Sequence, residues 1–208
     1  MRYPKLRELK EALTALFSRP YTNRFPFRPH VPEKRFRGKP EYHSESCVGC
    51  TACAQVCPAN AIEWFDDLTS DPPVRRLVLH YDICIFCGQC QANCITEKGI
   101  QLSRKFDLAG FQRSEMTEKQ ENKLVLCEDC GAVIGTEDHI RFVREKIGSL
   151  SLANESSLLL LQSELSLSGA FKGKIETGLK RNDLFRLLCP VCRRDLHLTD
   201  EWNLRNTP

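Results

Sequence analysis

At 208 residues, of which 41% are hydrophobic, the chain has room for one or two small domains. Its longest all-leucine run, residues 158–161, is far shorter than the roughly 20 apolar residues that span a bilayer, so we expect no transmembrane segment. The formal net charge of +3 is unevenly distributed. Residues 1–40 hold eleven Lys or Arg against three Asp or Glu, a net charge of +8, and residues 41–208 carry the compensating −5.

Residues 1–40 predict a basic docking arm made of a helix followed by an extended segment. The apolar residues Leu6, Leu9, Leu13, Leu16 and Phe17 recur at the spacing of one helix face. Residues 20–32 contain four prolines, which oppose both helix and central strand, and we expect this segment to lie extended across a partner subunit. The charge of the arm suits an acidic partner or an anionic membrane face.

Eight of the twelve cysteines form two copies of one spacing, and this spacing is the ligand run for a pair of 4Fe-4S clusters. In such runs the fourth cysteine ligates the other cluster. It follows the third cysteine after three residues instead of two, and this longer gap carries it out of reach of the first cluster. We therefore assign one cluster to Cys47, Cys50, Cys53 and Cys94, and the other to Cys84, Cys87, Cys90 and Cys57. The chemistry predicted is the transfer of single electrons.

Two other uses of these eight cysteines fit less well. Zinc sites need pairs of cysteines, so the third regularly spaced cysteine of each run would be surplus. A disulfide framework belongs to small exported chains, and the opening Met-Arg-Tyr-Pro is not followed by the apolar region of a signal peptide. The two runs are an internal repeat 37 residues apart, with Pro58 after Cys57 but Ile95 after Cys94. Residues 61–64, 77–81 and 99–102 are predicted strands.

The other four cysteines predict a second metal site. Cys127 and Cys130 form one CxxC unit and Cys189 and Cys192 another, which suits a closed tetrahedral structural zinc site. A mononuclear iron site of the same shape and unmetallated thiols are the alternatives. The 58 residues between the units exceed the usual gap, but loop-closure entropy grows only slowly with length. Between the units, a helix should start at Thr136 and stop at Gly148, and a second should lie in the Ser/Leu-rich segment 149–168.

The predicted fold class is α+β. Residues 41–105 should form a 2×4Fe-4S ferredoxin-like domain of two short strand pairs and two short helices. Residues 106–123, which are polar and charged, should be a linker. Residues 124–208 should form a zinc-ribbon-like module of four cysteines with a helical insertion.

The two cysteine runs, the preceding Phe36-Arg37-Gly38-Lys39-Pro40, the segment Cys84-Ile85-Phe86-Cys87-Gly88-Gln89-Cys90 and the trailing CxxC units together resemble a known type of subunit. It is the two-cluster iron–sulfur subunit of formate-hydrogenlyase-type, membrane-bound NiFe hydrogenases, which is related to the two-cluster subunit of respiratory NADH:quinone oxidoreductase. The resemblance covers residues 34–135 well and residues 189–194 more loosely. It implies an electron wire between other subunits, with no catalytic residue on this chain.

The resemblance also implies partners and a location: a small cluster-bearing subunit and a large subunit, at the cytoplasmic face of the membrane. The same subunit type in an NADH or ferredoxin:quinone oxidoreductase is one alternative function, and a free ferredoxin-like carrier is another. A free carrier is commonly short and acidic, unlike this chain. A nucleic-acid-binding redox sensor is the third alternative, and the net negative charge of residues 41–208 opposes it.

Overall fold

The computed structural model describes residues 5–20, 22–165 and 186–199, and the chain divides into two compact units, residues 1–36 and 37–208. In the smaller unit, helix α1 spans Leu6–Phe17, as the apolar spacing predicted. None of its residues is buried, and the five apolar side chains of its stripe are between 50% and 86% exposed. The described residues of the segment 20–32 form no helix or strand, but a turn closed by the Arg28 N–H on the Arg24 carbonyl interrupts the extended path.

The larger unit mixes short strands and helices. Its elements in chain order are β1 (Pro40–Tyr42), α2 (Ala52–Gln55), β2 (Ile62–Asp67), β3 (Val74–His80), α3 (Gln89–Ala92), β4 (Ile100–Leu102), β5 (Thr117–Leu126), β6 (Val133–Thr136), α4 (Glu137–Ile147), α5 (Glu155–Glu164) and α6 (Pro190–Thr199). Two 3-10 helices, Arg113–Glu115 and Gly148–Ala153, precede β5 and α5.

The predicted ferredoxin-like domain has the expected strand pairs and helices. Strand β1 pairs antiparallel with β4, and β2 pairs antiparallel with β3. The short helices α2 and α3 each begin inside one cysteine run. The core between them is small and consists of Cys53, Ile62, Leu79, Tyr81 and Ile100. A core of five residues buries little apolar area for a domain of this size.

The expectation of a linker at residues 106–123 is wrong for its second half. Residues 117–126 form β5, which pairs with β3 on one side and β6 on the other in a four-stranded sheet of order β2-β3-β5-β6. The strand was missed because two of its inward-facing residues, Gln120 and Asn122, are polar although both are only 4% exposed. This sheet joins the ferredoxin-like domain to the four-cysteine module.

The helices of the C-terminal module begin and end near the predicted positions. The Thr136 hydroxyl accepts the His139 N–H as the N-cap of α4, and the helix stops at Gly148 with a positive φ of 64°. Helix α5 lies within the Ser/Leu-rich segment, and Glu164 near its end pairs with Arg141 and Arg144 of α4. The rest of that segment, from residue 166, lies outside the described residues.

Candidate iron–sulfur and metal sites

Two separate cavities gather the eight cysteines of the runs into the two predicted sets. The first is lined by Cys47, Cys50, Cys53 and Cys94, and the second by Cys57, Cys84, Cys87 and Cys90. Each cavity thus receives three cysteines from one run and the last cysteine of the other run, which is the arrangement that two 4Fe-4S clusters require. The remaining lining is largely apolar, including Ile95 and Ile100 in the first cavity and Ile62 and Ile85 in the second.

The backbone repeats the same turns in both runs. Residues 37 positions apart share a positive φ: Gly49 and Phe86 have values of 65° and 53°. The second such pair is Thr51 and Gly88, with values of 64° and 80°. A non-glycine residue adopts this left-handed conformation at a cost of about 1–2 kcal/mol, so a bulky Phe86 here marks a conformation that the loop imposes. These turns hold the cysteines of each run at the rim of its cavity. The internal repeat seen in the sequence is therefore a repeat of backbone conformation.

Several hydrogen bonds end on the cysteine sulfurs. In the first cavity, the Tyr42 hydroxyl lies 3.8 Å from Cys53 Sγ, and the Thr96 hydroxyl lies 3.3 Å from Cys94 Sγ. In the second, the Ala61 N–H donates to Cys57 Sγ at 3.2 Å. Hydrogen bonds to cluster sulfurs are one of the means by which a protein sets a cluster's reduction potential.

Burial raises the pKa of several cavity thiols, that of Cys47 to about 12 and that of Cys90 to about 11. At Cys94 burial also acts to raise the pKa, but hydrogen bonds from Thr96 and from backbone N–H groups outweigh it and hold the pKa below the usual value. Iron binds the thiolate form of cysteine, so its binding must displace the protons of these thiols and release them.

Residues outside the runs hold the loop that begins at Cys47. The buried Asn122 of β5 donates through Nδ2 to the Cys47 carbonyl at 2.7 Å and to Asp138 at 3.0 Å. The Thr136 hydroxyl, which is fully buried, donates to the Val48 carbonyl at 2.5 Å. The contacts to the Cys47 and Val48 carbonyls join residues 75 and 88 positions apart, so no local sequence pattern indicated them.

A guanidinium group supports the same loop from the side of β3. Arg75 binds the Asp66 carboxylate through two nitrogen atoms, at 2.7 and 2.9 Å, and its third nitrogen donates to the Gly49 carbonyl at 3.3 Å. Its guanidinium also lies 5.0 Å from the ring centre of Trp64. The positive charge is thus fixed near the first cavity and largely balanced by Asp66.

The four remaining cysteines come together at a third place. The Sγ atoms of Cys127, Cys130, Cys189 and Cys192 all lie within 4.8 Å of one another, and Cys130 Sγ is 3.7 Å from Cys189 Sγ. A tetrahedral site with metal–sulfur bonds of about 2.3 Å has sulfur–sulfur edges of about 3.8 Å. Within the described part of the chain, this is the one group of potential ligand atoms that comes so close together.

The local backbone of this third site favours the thiolate form of Cys127. Burial raises the pKa of Cys127, but the backbone N–H groups of Cys130, Cys189 and Asp129 outweigh it and hold the pKa at about 6. Gly131, with a φ of 72°, closes the first turn by donating its N–H to the Cys127 carbonyl at 2.9 Å. The Glu128 N–H donates a hydrogen bond to the Leu187 carbonyl, and this bond brings the segments that carry the two CxxC units together.

A known domain model matches the part of the chain that holds the first two sites. Residues 46–98, which contain both cysteine runs, match the model of the 4Fe-4S dicluster domain. The chain therefore contains an iron–sulfur domain of the ferredoxin-like, dicluster type.

The relatives are subunits of two kinds of oxidoreductase complex, and the resemblance found from the sequence is confirmed. The chain is 28% identical over 101 residues to NAD(P)H-quinone oxidoreductase subunit I of Gloeobacter violaceus, covering 47% of this chain and 48% of the relative. It is 32% identical over 121 residues to formate hydrogenlyase subunit 6 of Escherichia coli, covering 58% of this chain and 66% of the relative. The chain thus spans between about half and just under two thirds of the length of these relatives.

A solved structure was also matched, that of the membrane-bound sulfane sulfur reductase, an archaeal respiratory membrane complex. One of its chains is 28% identical, with a TM-score of 0.38 and coverage of 56% of this chain and 61% of that chain. Among the described residues, no helix has the length and apolar content to cross a bilayer.

Proposed function

We propose that this chain is an electron-transfer subunit that carries two 4Fe-4S clusters and relays electrons within a membrane-associated oxidoreductase complex. The observation that carries the proposal is the sorting of eight cysteines into two cavities of four, each drawing its last cysteine from the other run. When bound, the clusters supply one-electron oxidation and reduction. The chain's own residues hold the clusters, exclude water and donate hydrogen bonds to the sulfurs.

The ligand set proposed for one cluster is Cys47, Cys50, Cys53 and Cys94, and for the other Cys84, Cys87, Cys90 and Cys57. Metal and sulfide analysis of the anaerobically purified full chain, with EPR of the reduced state, tests it. We expect about eight iron and eight sulfide per chain and the signals of two interacting reduced 4Fe-4S centres. Two or more zinc with no sulfide would refute the proposal.

We propose that the third site, Cys127, Cys130, Cys189 and Cys192, binds one structural zinc ion. Four cysteine ligands fill a tetrahedral zinc site and leave no open position for a substrate, so the metal has no catalytic role there. The same metal analysis should give about one zinc per chain beside the eight iron. A ninth iron in place of zinc would assign the site to a mononuclear iron centre instead.

The proposed partners are the subunits of a hydrogenase-type complex, with a quinone-reductase-type complex as the second candidate. Each kind of complex contains a relative of this chain: formate hydrogenlyase subunit 6 in one case and NAD(P)H-quinone oxidoreductase subunit I in the other. Affinity purification of the tagged full chain from membranes of its native cells separates them. Nickel in the purified complex identifies the hydrogenase type, whereas a nickel-free complex that reduces quinone identifies the other.

We further propose that α1 attaches this subunit to the cytoplasmic, anionic face of the membrane. Its apolar stripe is exposed, and it belongs to a segment of net charge +8, the combination that binds anionic lipid surfaces. Vesicles with and without anionic lipid test this with the full chain. Leu9→Glu should weaken sedimentation with anionic vesicles, whereas Ala15→Glu, the same charge change on the opposite face, should weaken it much less. Equal losses would mean that charge alone, and not the apolar face, binds the membrane.

A further inference from the structure

The two cavities differ in the hydrogen bonds that their sulfurs receive from side chains. The Tyr42 hydroxyl contacts Cys53 Sγ at 3.8 Å, and the Thr96 hydroxyl contacts Cys94 Sγ at 3.3 Å. A cysteine bound to iron has lost its proton, so in both contacts the hydroxyl is the donor. Thr96 is set up for this role, because its oxygen already accepts the Gly99 N–H at 3.0 Å and its own proton is left for the sulfur.

The internal repeat places hydrocarbon side chains at the matching positions of the second cavity. Tyr42 stands five residues before Cys47, and Leu79 stands five residues before Cys84. Both line their respective cavities.

The second hydroxyl has no counterpart either. Thr96 stands two residues after Cys94, and Ala59 stands two residues after Cys57. Thr96 lines the first cavity and Ala59 the second. Both hydroxyl donors are therefore present at one site and absent from the equivalent place at the other.

Within the described residues, the sulfurs of the second cavity receive backbone donors but no hydroxyl. The Ala61 N–H reaches Cys57 Sγ at 3.2 Å, and the Phe86 N–H reaches Cys84 Sγ at 3.5 Å. A backbone donor of the same kind also serves the first cavity, where the Ile100 N–H reaches Cys94. The hydroxyls at the first cavity are therefore additional to a backbone contribution that both sites share.

The two sites each have a nearby guanidinium, and the burial class of their ligands differs at one cysteine. One guanidinium lies near each site: Arg75 donates to the Gly49 carbonyl and Arg37 to the Cys87 carbonyl, both at 3.3 Å. Burial disfavours the more negative, reduced state, but seven of the eight cysteines are partly exposed. The one buried ligand, Cys53, is the sulfur that accepts the Tyr42 hydroxyl.

We propose that the cluster at Cys47, Cys50, Cys53 and Cys94 is the more easily reduced of the two, and that the Tyr42 and Thr96 hydroxyls set this order. Reduction adds one electron to the cluster, supplied by a redox partner, with no bond formed or broken and no proton transferred. The added negative charge lies partly on the sulfurs, so hydroxyl donors stabilise the reduced state more than the oxidised one. An electron entering this chain therefore rests at the first cluster. The inference rests on the proposed function, because it requires both clusters.

Redox titration of the full, cluster-loaded chain with dithionite, followed by EPR, tests the order. Tyr42→Phe and Thr96→Val should each make reduction of the more easily reduced cluster about tenfold less favourable, which is about 59 mV for one electron, and leave the other potential unchanged. Thr96→Ser keeps the hydroxyl and should retain the original potential. Tyr81→Phe is the matched tyrosine control, because that hydroxyl bonds the Pro40 carbonyl and Glu118 rather than a sulfur.

Iron and sulfide content separate the two possible failures. Variants that keep about eight iron but shift the lower potential, or shift neither, would overturn the inference and leave the proposed function intact. A wild-type chain that binds no iron–sulfur cluster would overturn the proposed function itself. A fall of the higher potential in both hydroxyl-removing variants, absent in Thr96→Ser and Tyr81→Phe, supports the inference.

Discussion

Replacing Asn122 by alanine should loosen the first cluster selectively. The Asn122 amide donates to the Cys47 carbonyl at 2.7 Å and to the Asp138 carboxylate at 3.0 Å, and the residue is only 4% exposed. Removing the amide leaves the part-buried Cys47 carbonyl without this donor, which costs about 1–3 kcal/mol. Since about 1.4 kcal/mol is a factor of ten, the loop at Cys47 should open roughly five- to a hundredfold more often.

The assay is iron release to a chelator under anaerobic conditions, with the full chain loaded with both clusters. In Asn122→Ala we expect about half of the iron, the four atoms of the first cluster, to leave at least about fivefold faster. Asn93→Ala is the matched control, because that exposed side chain, at the end of α3, donates to Gln89 and to no other described residue. Unchanged kinetics, or equal acceleration of all the iron, would refute the idea that Asn122 supports the first loop.

Three further predictions concern the C-terminal module. Cys189→Ala should reduce zinc from about one per chain to none while iron stays at about eight, as measured by elemental analysis. Gly131→Ala should weaken zinc binding about tenfold in a chelator competition, because alanine at a φ of 72° costs about 1–2 kcal/mol. Burial raises the pKa of Glu164, but Arg144 and Arg141 outweigh it and hold the pKa below its ordinary value of 4.5. The pairs therefore stabilise the fold above that pH and are lost as pH falls, so Glu164→Gln should cost about 0.5–1 kcal/mol near pH 7 and little near pH 3 in chemical denaturation.

The cysteine spacing predicted more of the site than of the fold. A ligand run is local in sequence, so the spacing within Cys47 to Cys57 and Cys84 to Cys94 was enough to predict which cysteines share a cluster. Helix α4 was predictable for a similar reason, since its cap at Thr136 and its stop at Gly148 are local signals. The residues that support the first loop were not predictable, because they act across long sequence separations.

Strand β5 shows why polarity misled the prediction. Its inward-facing Gln120 and Asn122 are buried not against hydrocarbon but against the polar backbone and side chains near the first cysteine run. Hydrophobic alternation detects strands that pack on an apolar core, and this strand packs partly on a metal-binding loop. The missed hydroxyl donors did leave a signal: aligning the two runs places Tyr42 against Leu79 and Thr96 against Ala59.

The topology places the four-cysteine module at the closed end of the hairpin that supports the first loop. Strand β5 ends one residue before Cys127, and β6 starts three residues after Cys130, so a metal held there fixes the closed end of this hairpin. Farther from that end, the same two strands carry Asn122 and Thr136, whose side chains hold the carbonyls of Cys47 and Val48. A shift of the hairpin would move the donors away from the first loop. A closed zinc site, which takes no part in redox chemistry, is suited to prevent that movement because its geometry does not change when an electron passes.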